Sequence, residues 1–240
     1  MPALEHQIAL VTGASRGIGR AIAVALARER ASVVLSARSE DDLRETASLC
    51  ERAGAPATHV WPLDLADGQA IDELCEQLLE THGHVDVLVN NAGASISGHA
   101  LDGDPDAWER GLRLNVAAPM RLTRRLAPGM QQRERGTIIN IGSIAAIEGM
   151  TNSGAYAASK HALRGWSLSC YEKLRNAGVK VTLINPAFVD TEMTAGVEGA
   201  DRSRMLAPAD IAEAAMLAIR SSPACCPQEV TLRLTKPPLG

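Results

Sequence analysis

Short apolar runs alternate along the chain with longer stretches in which apolar residues recur at helical spacing. The runs lie at residues 7–11, 32–37, 58–63, 85–89, 136–141, 179–184 and 229–234, and most are rich in Val, Ile and Leu, as strands buried on both faces are. Between them, Ile22, Val24 and Leu26 mark one helix, and Ile71, Leu74, Leu78 and Leu79 mark another over residues 67–82. A longer helical pattern starts at Asp104 or Asp106 and passes through Trp108, Leu112, Leu114, Val116, Met120, Leu122 and Leu126, with Pro119 inside it as a candidate kink. Ser153 is the expected N-cap of a helix running through Leu163, Trp166, Leu168 and Leu174 to Gly178, and a last helix covers residues 208–221. Ser39 and Asp67 are expected to cap two others. Strand and helix alternate with no repeat and no linker, which predicts a single α/β domain over residues 1–240. Its centre is a doubly wound parallel sheet of about seven strands with helices on both faces. Residues 187–207 lack firm periodicity and are read as a substrate loop.

Length and composition narrow the function. A chain of 240 residues buries a sizeable core but is short for a second, substrate-holding domain. Its formal net charge of -4, without a long basic run, argues against nucleic acid as a partner. Residues 1–13 lack the pattern of a signal peptide and no apolar run is long enough to span a bilayer, so a soluble, cytoplasmic protein with no membrane partner is expected. Cys50, Cys75, Cys170, Cys225 and Cys226 have no metal-ligand spacing, so no metal site is expected. The neighbours Cys225 and Cys226 read as small apolar thiols.

The first strand ends in Thr12-Gly13-Ala14-Ser15-Arg16-Gly17-Ile18-Gly19 and a helix follows. Gly13 permits a tight turn, Gly17 a close approach of backbone N–H groups to a pyrophosphate, and Gly19 tight packing at the helix N-terminus, where the dipole favours an anion. The second strand ends in Ala37-Arg38, where an NAD site wants an acid for the ribose 2′-hydroxyl. With Arg16 in the glycine turn, two cations suit a 2′-phosphate, so NADP(H) is expected in preference to NAD(H). Asp64, at the end of the third strand, is either a turn residue or an acceptor for adenine.

Acid–base chemistry is suggested by Tyr156 and Lys160, four residues apart and therefore on one face of a helix. A nearby cation favours the ionised phenol, making Tyr156 a candidate general acid and base. Ser143 follows the fifth strand and is placed to donate into a cleft at the carboxyl edge of the sheet, as is the polar turn Asn90-Asn91-Ala92-Gly93 after the fourth. Pro119 has no N–H to offer the carbonyl of Asn115.

Together, Thr12-Gly13-x-x-x-Gly17-x-Gly19, Asp64, Asn90-Asn91-Ala92-Gly93, Asn115, Ser143, Tyr156-x-x-x-Lys160 and Pro186-x-x-x-x-Thr191 resemble the single-domain short-chain dehydrogenase/reductase family, over residues 7 to about 235. The resemblance implies a Rossmann-like fold and hydride transfer between NADP(H) and a carbonyl or alcohol. Tyr156 would exchange the proton, Ser143 would steady the substrate oxygen, Lys160 would lower the phenol pKa and bind the nicotinamide ribose, and Asn115 would hold a water linking Lys160 to solvent. It implies a cofactor site comprising Gly13, Ser15, Arg16, Gly17, Ile18, Gly19, Arg38, Asp64, Leu65, Asn91, Ala92, Gly93, Tyr156, Lys160, Pro186, Val189 and Thr191. It also implies a homodimer or homotetramer paired through the helices near 105–130 and 153–177.

Ala187 stands where glycine is common in the family, and the C-terminal Thr235-Lys236-Pro237-Pro238 differs from that of many ketoacyl reductases. A 3-oxoacyl-(acyl carrier protein) substrate is therefore an alternative to a small or medium ketone, and a non-catalytic NADP-binding sensor is the alternative from another class. Ile96, Ile144, Ile147, Met150, Phe188 and Met193 are the expected apolar lining of the substrate site.

Overall fold

The computed structural model describes residues 4–99 and 101–238; residues 1–3, 100 and 239–240 of the expected domain lie outside the described residues. In chain order the elements are β1 (Ile8–Thr12), α1 (Gly17–Arg28), β2 (Ser32–Ala37), α2 (Glu40–Ala53), β3 (Thr58–Pro62), α3 (Gly68–His82), β4 (Val87–Asn90), α4 (Pro105–Leu112), α5 (Ala118–Gln132), β5 (Gly136–Ile141), α6 (Gly154–Leu174), β6 (Val179–Pro186), α7 (Pro208–Arg220) and β7 (Glu229–Leu232). The strands form one parallel sheet in the order β3-β2-β1-β4-β5-β6-β7. This is a Rossmann-like single domain.

Strand side chains alternate between faces, so each strand feeds two cores. Val11, Val33, Val89 and Ile139 pack with α1, α2 and α7 through Ile22, Leu26, Leu43, Ile211 and Met216. Their neighbours Leu10, Val34, Leu88 and Ile138 face the opposite way, onto Ile71, Leu74, Leu122, Leu126 and Leu174 of α3, α5 and α6. Each fully buried Leu or Ile contributes about 2 kcal/mol relative to exposure. That is why the strands read as continuous apolar runs.

Helix starts follow the expected caps in part. Asp67 accepts from the N–H of Gln69 at 2.9 Å, Asp104 from that of Asp106 at 3.0 Å, and Ser39 from that of Asp42 at 3.4 Å. Ser153 makes no capping bond. Its backbone is instead held in a parallel bridge with Gly98.

The long pattern expected to form one helix is broken into three. α4 ends at Leu112, a π turn spans Arg113–Ala117, and α5 begins at Ala118. The Ala118 N–H reaches back five residues to the Arg113 carbonyl, so one extra residue is looped into the helix. Pro119 then lies in the first turn of α5, where a missing N–H costs little. β6 runs two residues beyond its expected end, because Asn185 and Pro186 still pair with Thr231 and Leu232.

At the amino edge of the sheet, opposite the glycine turn, buried Asp86 accepts from the Ile8 N–H at 3.0 Å and lies within 3.4 Å of Arg135 and 3.2 Å of His84. Asp86→Ala leaves that N–H without its acceptor, and a loss of about 2 kcal/mol is expected in urea unfolding. Cofactor affinity should be unchanged, because the lesion is a strand's length from the carboxyl edge; a loss within about 0.5 kcal/mol of zero, the scale of a neutral surface substitution, would show the contact to be inert.

Candidate active site

The sheet order reverses between β1 and β4, so the chain leaves their carboxyl ends in opposite directions and a crevice opens there. Two side chains lace its floor. The Thr12 hydroxyl donates to the Val89 carbonyl at 3.1 Å and accepts from the N–H groups of Asn91 and Ala92 at 3.0 and 3.1 Å. The Asn91 amide donates in turn to the carbonyls of Thr12 and Gly13, at 2.9 and 3.1 Å.

Glycine is required at two points of this floor for different reasons. Gly13 has φ of +62° and its Cβ would sit 2.8 Å from Asn91 Nδ2, while a Cβ on Gly19 would lie 2.2 Å from the Gly13 carbonyl oxygen. No side chain caps α1, so its first N–H groups face the crevice edge as donors for an anion. Ile18 lies in this first turn, and the Ser15 carbonyl is gripped by Arg20, whose Nε and Nη2 donate at 3.1 and 2.5 Å. Arg20 also donates to Thr46 at 3.0 Å, tying the turn to α2.

Of the two cations expected at the 2′-phosphate, Arg38 is exposed at the end of β2 with no hydrogen bond or ion pair among the described residues. Arg16, in the glycine turn, pairs with the exposed Glu192 in the loop after β6. Asp64 is exposed and spends one oxygen on an Asx turn, accepting from the Ala66 N–H at 2.9 Å, while Leu65 beside it is buried. Across the crevice, Thr191 lies over Gly17, whose Cβ would be 3.1 Å from the threonine methyl. Val189 is buried and bridges to Leu206, and Pro186 ends β6.

The second half of the site is built by β5, α6 and the π turn. Ser143, just past β5, lies within hydrogen-bonding reach of the Tyr156 phenol. One turn further along α6, the buried Lys160 ammonium lies 5.7 Å from the Tyr156 ring centroid and donates to the Ile141 carbonyl at 2.9 Å. The π turn aims Asn115 at the same place: its carboxamide accepts from the Ala94 N–H at 2.9 Å and donates to the Ala94 carbonyl at 3.0 Å and to Ser159 at 3.1 Å. A Cβ on Gly93 would stand 3.2 Å from Asn115 Oδ1 and 3.7 Å from Lys160 Nζ. The Asn90-to-Gly93 turn therefore forms the wall between the two halves. Proline chemistry drew attention to the Asn115 carbonyl; the contacts are made by its side chain.

The phenol departs from the sequence-based expectation. Burial raises the Tyr156 pKa above its ordinary value, and the Ser143 hydrogen bond offsets this only in part. Lys160 is not among the causes of that shift, and burial lowers its own pKa to about 8. Among the lining residues, Ile96 is buried, filling the space a side chain on Gly111 would need. Ile147 and Met193 are exposed.

The model of the short chain dehydrogenase family matches residues 7–201. This chain belongs to the short-chain dehydrogenase/reductase family. An uncharacterised oxidoreductase of Staphylococcus saprophyticus is 35% identical over 233 residues, spanning 97% of this chain and 99% of the relative. An uncharacterised oxidoreductase of Staphylococcus aureus shows the same identity and coverage. Among solved structures, a metagenomic short-chain oxidoreductase in complex with NADP is 36% identical, with a TM-score of 0.85 over 98% of this chain and 99% of that one. An alcohol dehydrogenase from the archaeon Thermococcus sibiricus, complexed with 5-hydroxy-NADP, is 27% identical, with a TM-score of 0.87 over 95% and 97% of the two chains.

Several contacts that shape this short-chain dehydrogenase's site carry no motif. Arg20, Asn185 and Glu229 are among them, as is a buried chain in which Asn90 donates to Asn140 and Asn140 to Ser167, both at 2.8 Å, fastening α6 to β4 and β5. Arg20 alone had a local signal, as a basic residue just inside the helix after the glycine turn.

Lys160 makes the fold pH-sensitive. Unfolded, it keeps its proton up to the ordinary value of 10.5, whereas folded it loses it near 8. Between those values unfolding takes up a proton, so stability rises with pH there, and below pH 8 the buried charge costs the fold about 3 kcal/mol. Lys160→Met should raise the melting temperature of the cofactor-free protein at pH 7, with the advantage shrinking by pH 9. An advantage that is equal at both pH values would mean the ammonium is solvated.

Proposed function

We propose that this enzyme transfers hydride between NADP(H) and a ketone or secondary alcohol, with Tyr156 as the proton-exchanging group. The observation that carries the proposal is the Ser143 hydroxyl within hydrogen-bonding reach of the Tyr156 phenol, beside a buried lysine at the carboxyl edge of the sheet. Two hydroxyls this near can donate to one substrate oxygen together and stabilise the charge that develops on it.

The residues fit the cofactor. The glycine turn with its uncapped helix start suits a pyrophosphate, and Lys160, with no carboxylate partner among the described residues, is free to turn from the Ile141 carbonyl to ribose hydroxyls. Gly13, Ser15, Gly17, Ile18 and Gly19 would hold the phosphates, Asp64 and Leu65 the adenine, Asn91, Ala92 and Gly93 the floor, and Pro186, Val189 and Thr191 the nicotinamide end. The nicotinamide supplies or accepts the hydride; the protein orients and polarises. A phenol raised by burial stays protonated at neutral pH, which is the form that donates to a carbonyl. Asn115 fixes the Ala94 backbone beside Lys160 and gives that lysine a polar neighbour at its inner end. Unpaired Arg38, with no acid at the end of β2, supports NADP(H), as does the NADP in the metagenomic relative's complex. We assign residues 187–207 to the substrate loop and infer self-association through α4, α5 and α6, where Leu112 and Met120 are exposed.

Tyr156→Phe should lower kcat by about 1000-fold or more in a screen of ketones with NADPH read by absorbance, while NADPH still quenches protein fluorescence at wild-type concentrations. Retained turnover would remove Tyr156 from the chemistry. Separately, Arg38→Asp should move the ratio of kcat/KM for NADPH over NADH towards NADH by about 100-fold, the loss of a charge-assisted phosphate contact plus new repulsion. An unchanged ratio would place the 2′-phosphate elsewhere.

A further inference from the structure

Behind Ser143, on the side away from the crevice, three residues from three different elements form a continuous polar chain into the sheet. The Ser143 N–H donates to Asn185 Oδ1 at 3.3 Å, and Asn185 Nδ2 donates to Glu229 Oε1 at 2.8 Å. Arg164 grips both oxygens of that carboxylate, with Nε to Oε1 at 2.9 Å and Nη2 to Oε2 at 3.0 Å. Asn185 is fully buried near the end of β6, where a polar side chain persists only if its hydrogen bonds are met. Gly142 makes room for it: a Cβ there would lie 2.2 Å from Asn185 Oδ1. Arg164 is one turn beyond Lys160 on α6, the helix that carries Tyr156.

The chemistry of each link dictates the next. A carboxylate only accepts, so Glu229 forces Asn185 to present its NH2 towards β7 and its oxygen towards Ser143. The arginine fork fixes the carboxylate in turn, and a two-point contact allows little rotation. We propose that Arg164, Glu229 and Asn185 form a positioning relay that sets the Ser143 backbone, and through it the Ser143 hydroxyl, against Tyr156. None of the three touches the Tyr156 phenol; they act through Ser143. The relay couples the helix that carries the acid to the loop that carries its partner hydroxyl, so the two groups keep register when α6 shifts. This rests on the assignment of Ser143 and Tyr156 as catalytic.

A double-mutant cycle tests it. Asn185→Leu should lower kcat about 10-fold with KM for NADPH unchanged, the scale of a small misplacement of one donor. In a Ser143→Ala background the same change should cost less than about twofold, because the residue it acts through is gone. Equal losses in both backgrounds would overturn the relay in favour of general destabilisation. The charge swap Arg164→Glu/Glu229→Arg separates a staple from a relay: it restores the α6–β7 ion pair but turns donors towards Asn185. Its melting temperature should recover relative to Glu229→Arg while kcat does not; recovery of both would overturn the proposal. Amide exchange over residues 142–147 of the cofactor-free protein reads the relay without turnover and serves whichever variant folds. Faster exchange in Asn185→Leu or in the swap supports it and unchanged exchange refutes it. Should the wild type reduce no ketone, the functional assignment fails while the exchange result still stands.

Discussion

The packing of Thr12 and Asn91 between the ends of β1 and β4 is the constraint on which the rest of the site depends. At a switch point two neighbouring strands send their chains in opposite directions, and the gap between them must be floored by something that satisfies the freed backbone groups. Here one hydroxyl and one amide do so, leaving Gly13 and Gly19 without room for a side chain. The crevice, the exposed start of α1 and the placement of the Asn90-to-Gly93 wall follow from that one junction.

A second constraint is the burial of a cation. Lys160 sits among α6, β5 and the π turn with the Ile141 carbonyl as its one direct acceptor among the described residues, and the fold carries the cost of desolvating it. Such a group is tolerated where neighbouring structure over-determines its place. The Asn90–Asn140–Ser167 chain pins α6 from inside the core, and the Arg164–Glu229 fork pins it at its flank. Both lie on the same helix as the phenol, so the position of Tyr156 is a property of the whole sheet-to-helix contact rather than of a local turn. The π turn contributes from the other side, since one inserted residue rotates Asn115 towards Ala94 and Ser159.

Burial also changes how the acid and its neighbour are best understood. In water, a lysine four residues from a tyrosine would lower the phenol's pKa through charge alone. In this site burial acts on both groups, lowering the lysine and raising the phenol above its ordinary value, with only Ser143 opposing the rise. A neutral phenol next to a hydroxyl is a donor pair, and the balance is open to change by any charge that enters the crevice.

The alternating apolar runs and helical spacings were enough to specify the sheet, its order of elements and the glycine turn, because those depend on local period and on residues that tolerate a left-handed backbone. The positions of Ser143, Tyr156 and Lys160 on a strand end and a helix face were legible for the same reason. Other features lay beyond local pattern. The π insertion at Arg113–Ala117 shifts the apolar period by one residue, too little to interrupt the pattern; the Ser153 cap yielded to a bridge with Gly98; and Arg16 met Glu192, far along the chain. The direction of the Tyr156 shift and the reach of Glu229 to Asn185 depend on which groups burial brings together across the sheet. Local spacing encodes the elements and the candidate chemistry, but desolvation and long-range hydrogen bonds arise only when distant segments exclude water from one another, and those were decided by the tertiary structure.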